Sequence, residues 1–224
     1  MMPRSLPPLA WSLFALALLG VRMAATGTNR YGFLAWNLFL AWTPWMLLLG
    51  VARARAGLRA PLVLLAILLL PNAPYMLTDF IHFRLKEGFP WWYDAQLVFA
   101  FAATGCLLAL GCLRTLQEWA RERWGAPAGL AAAVALCYAC GLGVYLGRGP
   151  AWNSWDLFRR PWTVLGNLVD RVCQPGETVH ALGLTFTTGT LLLVALLSHN
   201  RPVRAVAAWS GQPGQSGQTC DEEP

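Results

Sequence analysis

The chain has 224 residues, 56% of them hydrophobic and only 12% charged, with twelve tryptophans and a formal net charge of +6. That composition excludes an ordinary soluble domain. The positive charge sits on arginines flanking apolar runs rather than in a basic groove interleaved with aromatics, which excludes a nucleic-acid partner.

The apolar residues gather into segments of about 17 to 22 residues, the length a helix needs to cross a hydrocarbon core about 30 Å thick. Six such segments are predicted, over 6–25, 32–52, 60–77, 95–113, 126–147 and 181–198. They imply an all-α, polytopic membrane fold with short interfacial helices on its outer face. Residues 1–200 form one integral membrane domain, and 201–224, rich in Gly, Gln, Ser and Pro, form a disordered cytoplasmic tail. Arg4 and the apolar run behind it resemble a secretory signal. The run is long for one, however, and Arg22 interrupts the place where cleavage would fall, so the first helix is expected to be retained. Three arginines crowd 53–59, whereas those on the other face are spread along a long connection, which places both termini in the cytoplasm of a bacterial inner membrane and the polar motifs outside.

In chain order, the first helix is an apolar anchor whose Arg22 is expected to snorkel toward the outer headgroups. The second carries Asn37 among Trp36, Trp42, Pro44 and Trp45. An amide in hydrocarbon needs a partner, so Asn37 should face other helices, either as interhelical glue or as part of a site.

The third helix is expected to break at Leu69-Leu70-Pro71-Asn72-Ala73-Pro74-Tyr75-Met76-Leu77-Thr78-Asp79-Phe80-Ile81-His82. Pro71 and Pro74 have no N–H, so the carbonyls of Ile67 and Leu70 lose their helical donors. Broken membrane helices can offer such carbonyls to an ion or substrate, and the bland alternative is a kink satisfied by its neighbours. Beyond the break, 78–88 reads as a short amphipathic interfacial helix ended by Gly88. On it Asp79 and His82, three apart, share a face as an acid/base or metal-binding pair, or else Asp79 simply caps the helix. Trp91, Trp92 and Tyr93 then form an interfacial belt.

Cys106, Cys112, Cys137 and Cys140 lie in the fourth and fifth helices and read as small buried hydrophobes. Between those helices, 114–123 mixes arginines with Glu118 and Glu122 as a solvated helix extension. A second polar motif follows the fifth helix: Tyr145-Leu146-Gly147-Arg148-Gly149-Pro150-Ala151-Trp152-Asn153-Ser154-Trp155-Asp156. Arg148 offers a fork of donors to a carboxylate or phosphate, and Asp156 adds a carboxylate. Asn153 or Ser154 also suits a local helix cap. Apolar residues at helical spacing over 157–173 suggest an interfacial helix over the outer face.

The stretch Leu70 to Phe83, with Trp36-Asn37-Leu38-Phe39-Leu40-Ala41-Trp42 upstream and Tyr145-Leu146-Gly147-Arg148 and Trp152-Asn153-Ser154-Trp155-Asp156 downstream, closely resembles the membrane-protein family called domain of unknown function 1361. The resemblance covers roughly 31–198 and implies the same multi-helix membrane fold. It brings no activity, substrate or cofactor. One departure is the absence of a second basic residue before the Asn-Ser-Trp-Asp core, where Pro150 and Ala151 stand.

Together, Asn37, Asn72, Tyr75, Asp79, His82, Arg148, Asn153, Ser154 and Asp156 are expected around one outward-facing polar site, because intramembrane polar groups are costly. Three functions fit. The first is an enzyme acting on a lipid or lipid-linked substrate, with Asp79 or Asp156 as base, His82 as acid or metal ligand and Arg148 holding a phosphate. The second is a small-solute or ion transporter using the broken helix. The third is a non-catalytic assembly or scaffold protein. The lipid bilayer and an anionic or lipid-linked ligand are the expected partners, and the residues name no cofactor or metal.

Overall fold

In the computed structural model, residues 6–82, 89–148, 159, 162, 163, 166, 170 and 175–199 are described. Among them there are helices and no strands. The elements are α1 (Leu6–Thr26), α2 (Phe33–Val51), α3 (Ala56–Leu69), α4 (Asn72–Tyr75) continuing as a 3₁₀ helix (Met76–His82), α5 (Trp91–Trp124), α6 (Ala126–Arg148) and α7 (Pro175–His199). Six helical spans are long and apolar enough to cross a membrane, with α3, α4 and most of the 3₁₀ turn counting as one. The chain is therefore a multi-pass membrane protein.

The turns follow local chemistry. Gly27 ends α1 at a φ of 62°, a left-handed conformation that favours glycine, and its N–H closes on the Met23 carbonyl at 2.9 Å. Gly125, at a φ of 93°, ends α5 and lets α6 begin at once at Ala126. Extended backbone at Pro90 opens α5 four residues before the predicted start at 95, which brings Asp94 into its first turn, where a carboxylate meets the positive end of the helix. The 34 residues of α5 continue through the arginine-rich stretch expected as an extension.

α5 is the axis of the bundle: 61% of its membrane window is buried, against 22–39% for the other spans. α1, α2, α4 with its 3₁₀ continuation, α6 and α7 all pack on it, and α7 also pairs closely with α6. Leu97, Phe101, Leu108 and Leu113 of α5 form the centre of the core with Leu34, Leu38 and Trp45 of α2 and Cys137 and Cys140 of α6. Backbones come closest where a side chain is missing. A Cβ on Gly105 of α5 would strike the Ala73 carbonyl of α4, and one on Gly143 of α6 would lie 2.5 Å from the Pro71 ring. These two glycines seat the proline motif between α5 and α6. Exposed tryptophans mark both ends, Trp91 and Trp92 at one and Trp119 and Trp124 at the other.

Candidate functional site

The proline motif tightens the helix instead of opening it. Leu70, Pro71 and Met76 all keep right-handed helical angles. The Ile67 carbonyl accepts from the Leu70 N–H at 3.3 Å, and the Leu70 carbonyl accepts from the Ala73 N–H at 3.1 Å. The two oxygens that the prolines deprive of helical donors therefore find donors three residues on, in 3₁₀ fashion. The chain then runs as a 3₁₀ helix through Asp79 to His82, and 83–88, the remainder of the expected interfacial helix, lie outside the described residues.

This tightened segment carries Asp79 into the interior, where it is 1% exposed. One carboxylate oxygen accepts from the Asn37 amide of α2 at 3.0 Å, and the other accepts from Nη2 of Arg148, the last residue of α6, at 2.7 Å. Arg148 also donates through Nε to the Thr78 hydroxyl at 2.9 Å, and Thr78 in turn donates to the Tyr75 carbonyl at 2.7 Å. The Tyr75 ring lies beneath the guanidinium, 4.3 Å from its carbon, a cation–π contact. Asp79 thus acts as an acceptor for side chains of other helices, a role different from the helix cap that was its local alternative. One turn before Arg148, the buried Tyr145 donates to Glu177 at the start of α7 at 3.2 Å.

A second buried ion pair stands at the same end. Arg22 does not snorkel: it is 5% exposed and donates from Nε to Asp94 at 2.6 Å and from Nη2 to the other oxygen at 3.2 Å. The physical reason is that Asp94, one turn into α5, offers the desolvated cation a paired partner, and the Phe89 ring covers the guanidinium carbon at 4.1 Å. The Tyr31 phenol donates to Asp94 at 3.2 Å. Burial, followed by the Asp94 charge, holds this phenol above its ordinary range, so it stays protonated as a donor. Tyr93 adds a bond from its hydroxyl to the Leu18 carbonyl at 2.9 Å.

Residues 36–195 match the family described as "Protein of unknown function (DUF1361)". The chain belongs to the DUF1361 family. No curated protein and no solved structure matches it. The matched stretch takes in Asn37, the proline motif, Asp94 and Arg148, whereas Arg22 and Tyr31 precede it. The Asp79 centre thus lies wholly within the part shared with DUF1361, and the Arg22 pair joins it to α1 outside.

Of the site residues expected from this DUF1361 sequence, the structure brings Asn37, Tyr75, Asp79 and Arg148 into one network, and Asn72, half-buried, opens the single turn of α4 that ends at Tyr75. Asn153, Ser154 and Asp156 lie outside the described residues, as does the His82 side chain. Thr78, Tyr31 and Asp94 were missed. Thr78 was available as the hydroxyl next to Asp79, and Asp94 as a carboxylate at the mouth of an apolar span. Among the described residues no three His, Cys, Asp or Glu side chains come together as a metal site.

Proposed function

We propose that this protein is a non-catalytic membrane assembly or scaffold unit, with its polar end acting as a clamp across helices. One observation carries the reading: Asp79 is 1% exposed and both its oxygens already accept, from α2 and from α6. A general base needs an oxygen within reach of a substrate proton; this carboxylate keeps unused lone pairs, but at 1% exposure a substrate would first have to open the packing around it. The proline break leaves neither the Ile67 nor the Leu70 carbonyl without a protein donor, so the segment needs no ion to satisfy it. Interhelical hydrogen bonds and buried pairs are the usual means by which polar residues fix helix register within a membrane.

On this reading the clamp end faces outward from a bacterial inner membrane, the termini lie in the cytoplasm, and 201–224 form a tail outside a single membrane domain. The rival is an enzyme with Asp79, His82 and Asp156 as its acid/base groups and a lipid or lipid-linked substrate. Purified protein in mild detergent separates the two. A clamp predicts that Asp79→Asn and Arg148→Gln each lower unfolding stability by about 3 kcal/mol, and that the double variant loses less than the sum. If Asp79→Asn instead unfolds with the wild type but loses a lipid or phosphate-bearing molecule that native mass spectrometry finds on the wild type, the clamp reading is wrong and the enzyme takes its place.

A further inference from the structure

The two ends of the bundle differ in what their arginines meet. At the clamp end Arg22 and Arg148 each have a buried carboxylate, and Arg30 stacks on the Tyr31 ring. At the opposite end Arg53, Arg55 and Arg59 surround the turn from α2 to α3, and Arg114, Arg121 and Arg123 lie on α5. Among the described residues none of these six has a carboxylate within ion-pair distance, although Glu118 and Glu122 share the end of α5 with them. The first turn of α3 holds no acidic residue either.

Packing brings four of the six to one depth. A Cβ on Gly111 of α5 would strike the Trp45 ring of α2, so the two helices lie side by side there. Arg114 stands about 5 Å past Gly111 along α5, and the α2–α3 turn begins about 10 Å past Trp45 along α2. The difference in depth, about 5 Å, is one that extended arginine side chains span. Arg114 is half-buried, and of its three nitrogens only Nε is buried without a hydrogen-bond partner. Arg59 is exposed and gives the chain only its Nε, to the Ala54 carbonyl at 3.2 Å, which folds it over the turn.

That depth is where lipid phosphates lie. From Asp94 to Arg114 α5 rises about 30 Å, the thickness of a hydrocarbon core. The surroundings agree: Leu58, beside Arg59, is 56% exposed, and Trp119 on α5 is 50% exposed, which suits acyl chains and headgroups rather than water. We propose that the α2–α3 turn and Arg114 of α5 together bind the phosphate of an anionic phospholipid, its chains passing Leu58. Guanidinium forks match phosphate oxygens, and this phosphate supplies the counter-charge that no carboxylate provides here. Arg121 and Arg123 lie about 10 Å or more beyond Arg114, past that depth, and take no part.

The test uses the full chain in nanodiscs of mixed phosphatidylglycerol and phosphatidylcholine, with native mass spectrometry reporting which lipid stays bound. In a second set the phosphatidylglycerol headgroup carries a photoreactive group. An arginine near an anionic surface is worth about fivefold in affinity, so the wild type should retain phosphatidylglycerol at least about tenfold over phosphatidylcholine. Cross-links should fall on 53–59 and Arg114. Arg114→Gln should cut the preference about fivefold and Arg55→Gln/Arg59→Gln further, while Arg121→Gln/Arg123→Gln leaves it unchanged. Equal retention of the two lipids by the wild type would overturn the proposal, as would an equal loss in Arg121→Gln/Arg123→Gln, the mark of diffuse surface charge. Release of the lipid by an excess of inorganic phosphate would assign the surface to a free anion and overturn it likewise. If a variant does not fold, the wild-type preference and cross-link map still decide the matter.

Discussion

The two buried ion pairs share one end of the bundle and are built in opposite ways. In the first, the cation is concentrated on a single carboxylate: Arg22 places two donors on Asp94, ring faces cover it, and the pair joins α1 to α5. In the second, the carboxylate is the hub, with Asp79 accepting from α2 and from α6 while Arg148 divides itself between Thr78 and Asp79. The first arrangement concentrates the stabilisation in one contact. The second spreads it over several, so that losing one leaves the others in place.

The largest effect should follow from breaking the concentrated pair. Arg22→Gln leaves Asp94 buried with little but a phenol, and should cost about 3–5 kcal/mol in detergent unfolding. Arg22→Met with Asp94→Leu should recover most of that loss, because two desolvated charges disappear together. A smaller loss in Arg22→Gln than in Arg148→Gln would invert the comparison.

A middle-sized effect tests how the hub is seated. Gly105→Ala drives a Cβ into the Ala73 carbonyl, so it should cost about 1–3 kcal/mol. Hydrogen exchange should rise over 72–82 and stay unchanged at the start of α5. Equal deprotection around Asp94 would mean that the two pairs are not independent.

The smallest effect concerns Tyr31. Tyr31→Phe removes one donor from Asp94 and should cost about 1 kcal/mol. The folded phenol titrates above its ordinary value of 10.0, so the folded state holds its proton where the unfolded state has lost it. Stability from this group is therefore full below that value and falls as pH rises through the folded one. Wild-type stability should decline in that alkaline range more steeply than that of Tyr31→Phe, and parallel profiles would remove Tyr31 from the pair.

The ease with which each pair could be read from the residues differs for a physical reason. Asn37, Asp79, Tyr75 and Arg148 stood out because polar groups inside apolar spans carry a desolvation cost that must be met by partners. Arg22 did not stand out, since an arginine near a helix end can reach water by itself. Its partner lies 72 residues away in a segment that read as an aromatic belt. The prolines were legible as a loss of donors, but not the remedy: the 3₁₀ bonds to Ile67 and Leu70 depend on how tightly Gly105 and Gly143 let the segment pack.

The order of residues is enough to make the chain a multi-pass helical membrane protein, because hydrophobic length is a local property that the bilayer thickness turns directly into spans. It also marked the proline motif and Arg148 as the polar features needing partners. Packing across the bundle settles which groups those partners are, that α5 is the axis, and that α1 packs on α5 rather than on α2. Those outcomes depend on which helix faces approach one another, and pairing across distant helices is set by packing that no local pattern encodes.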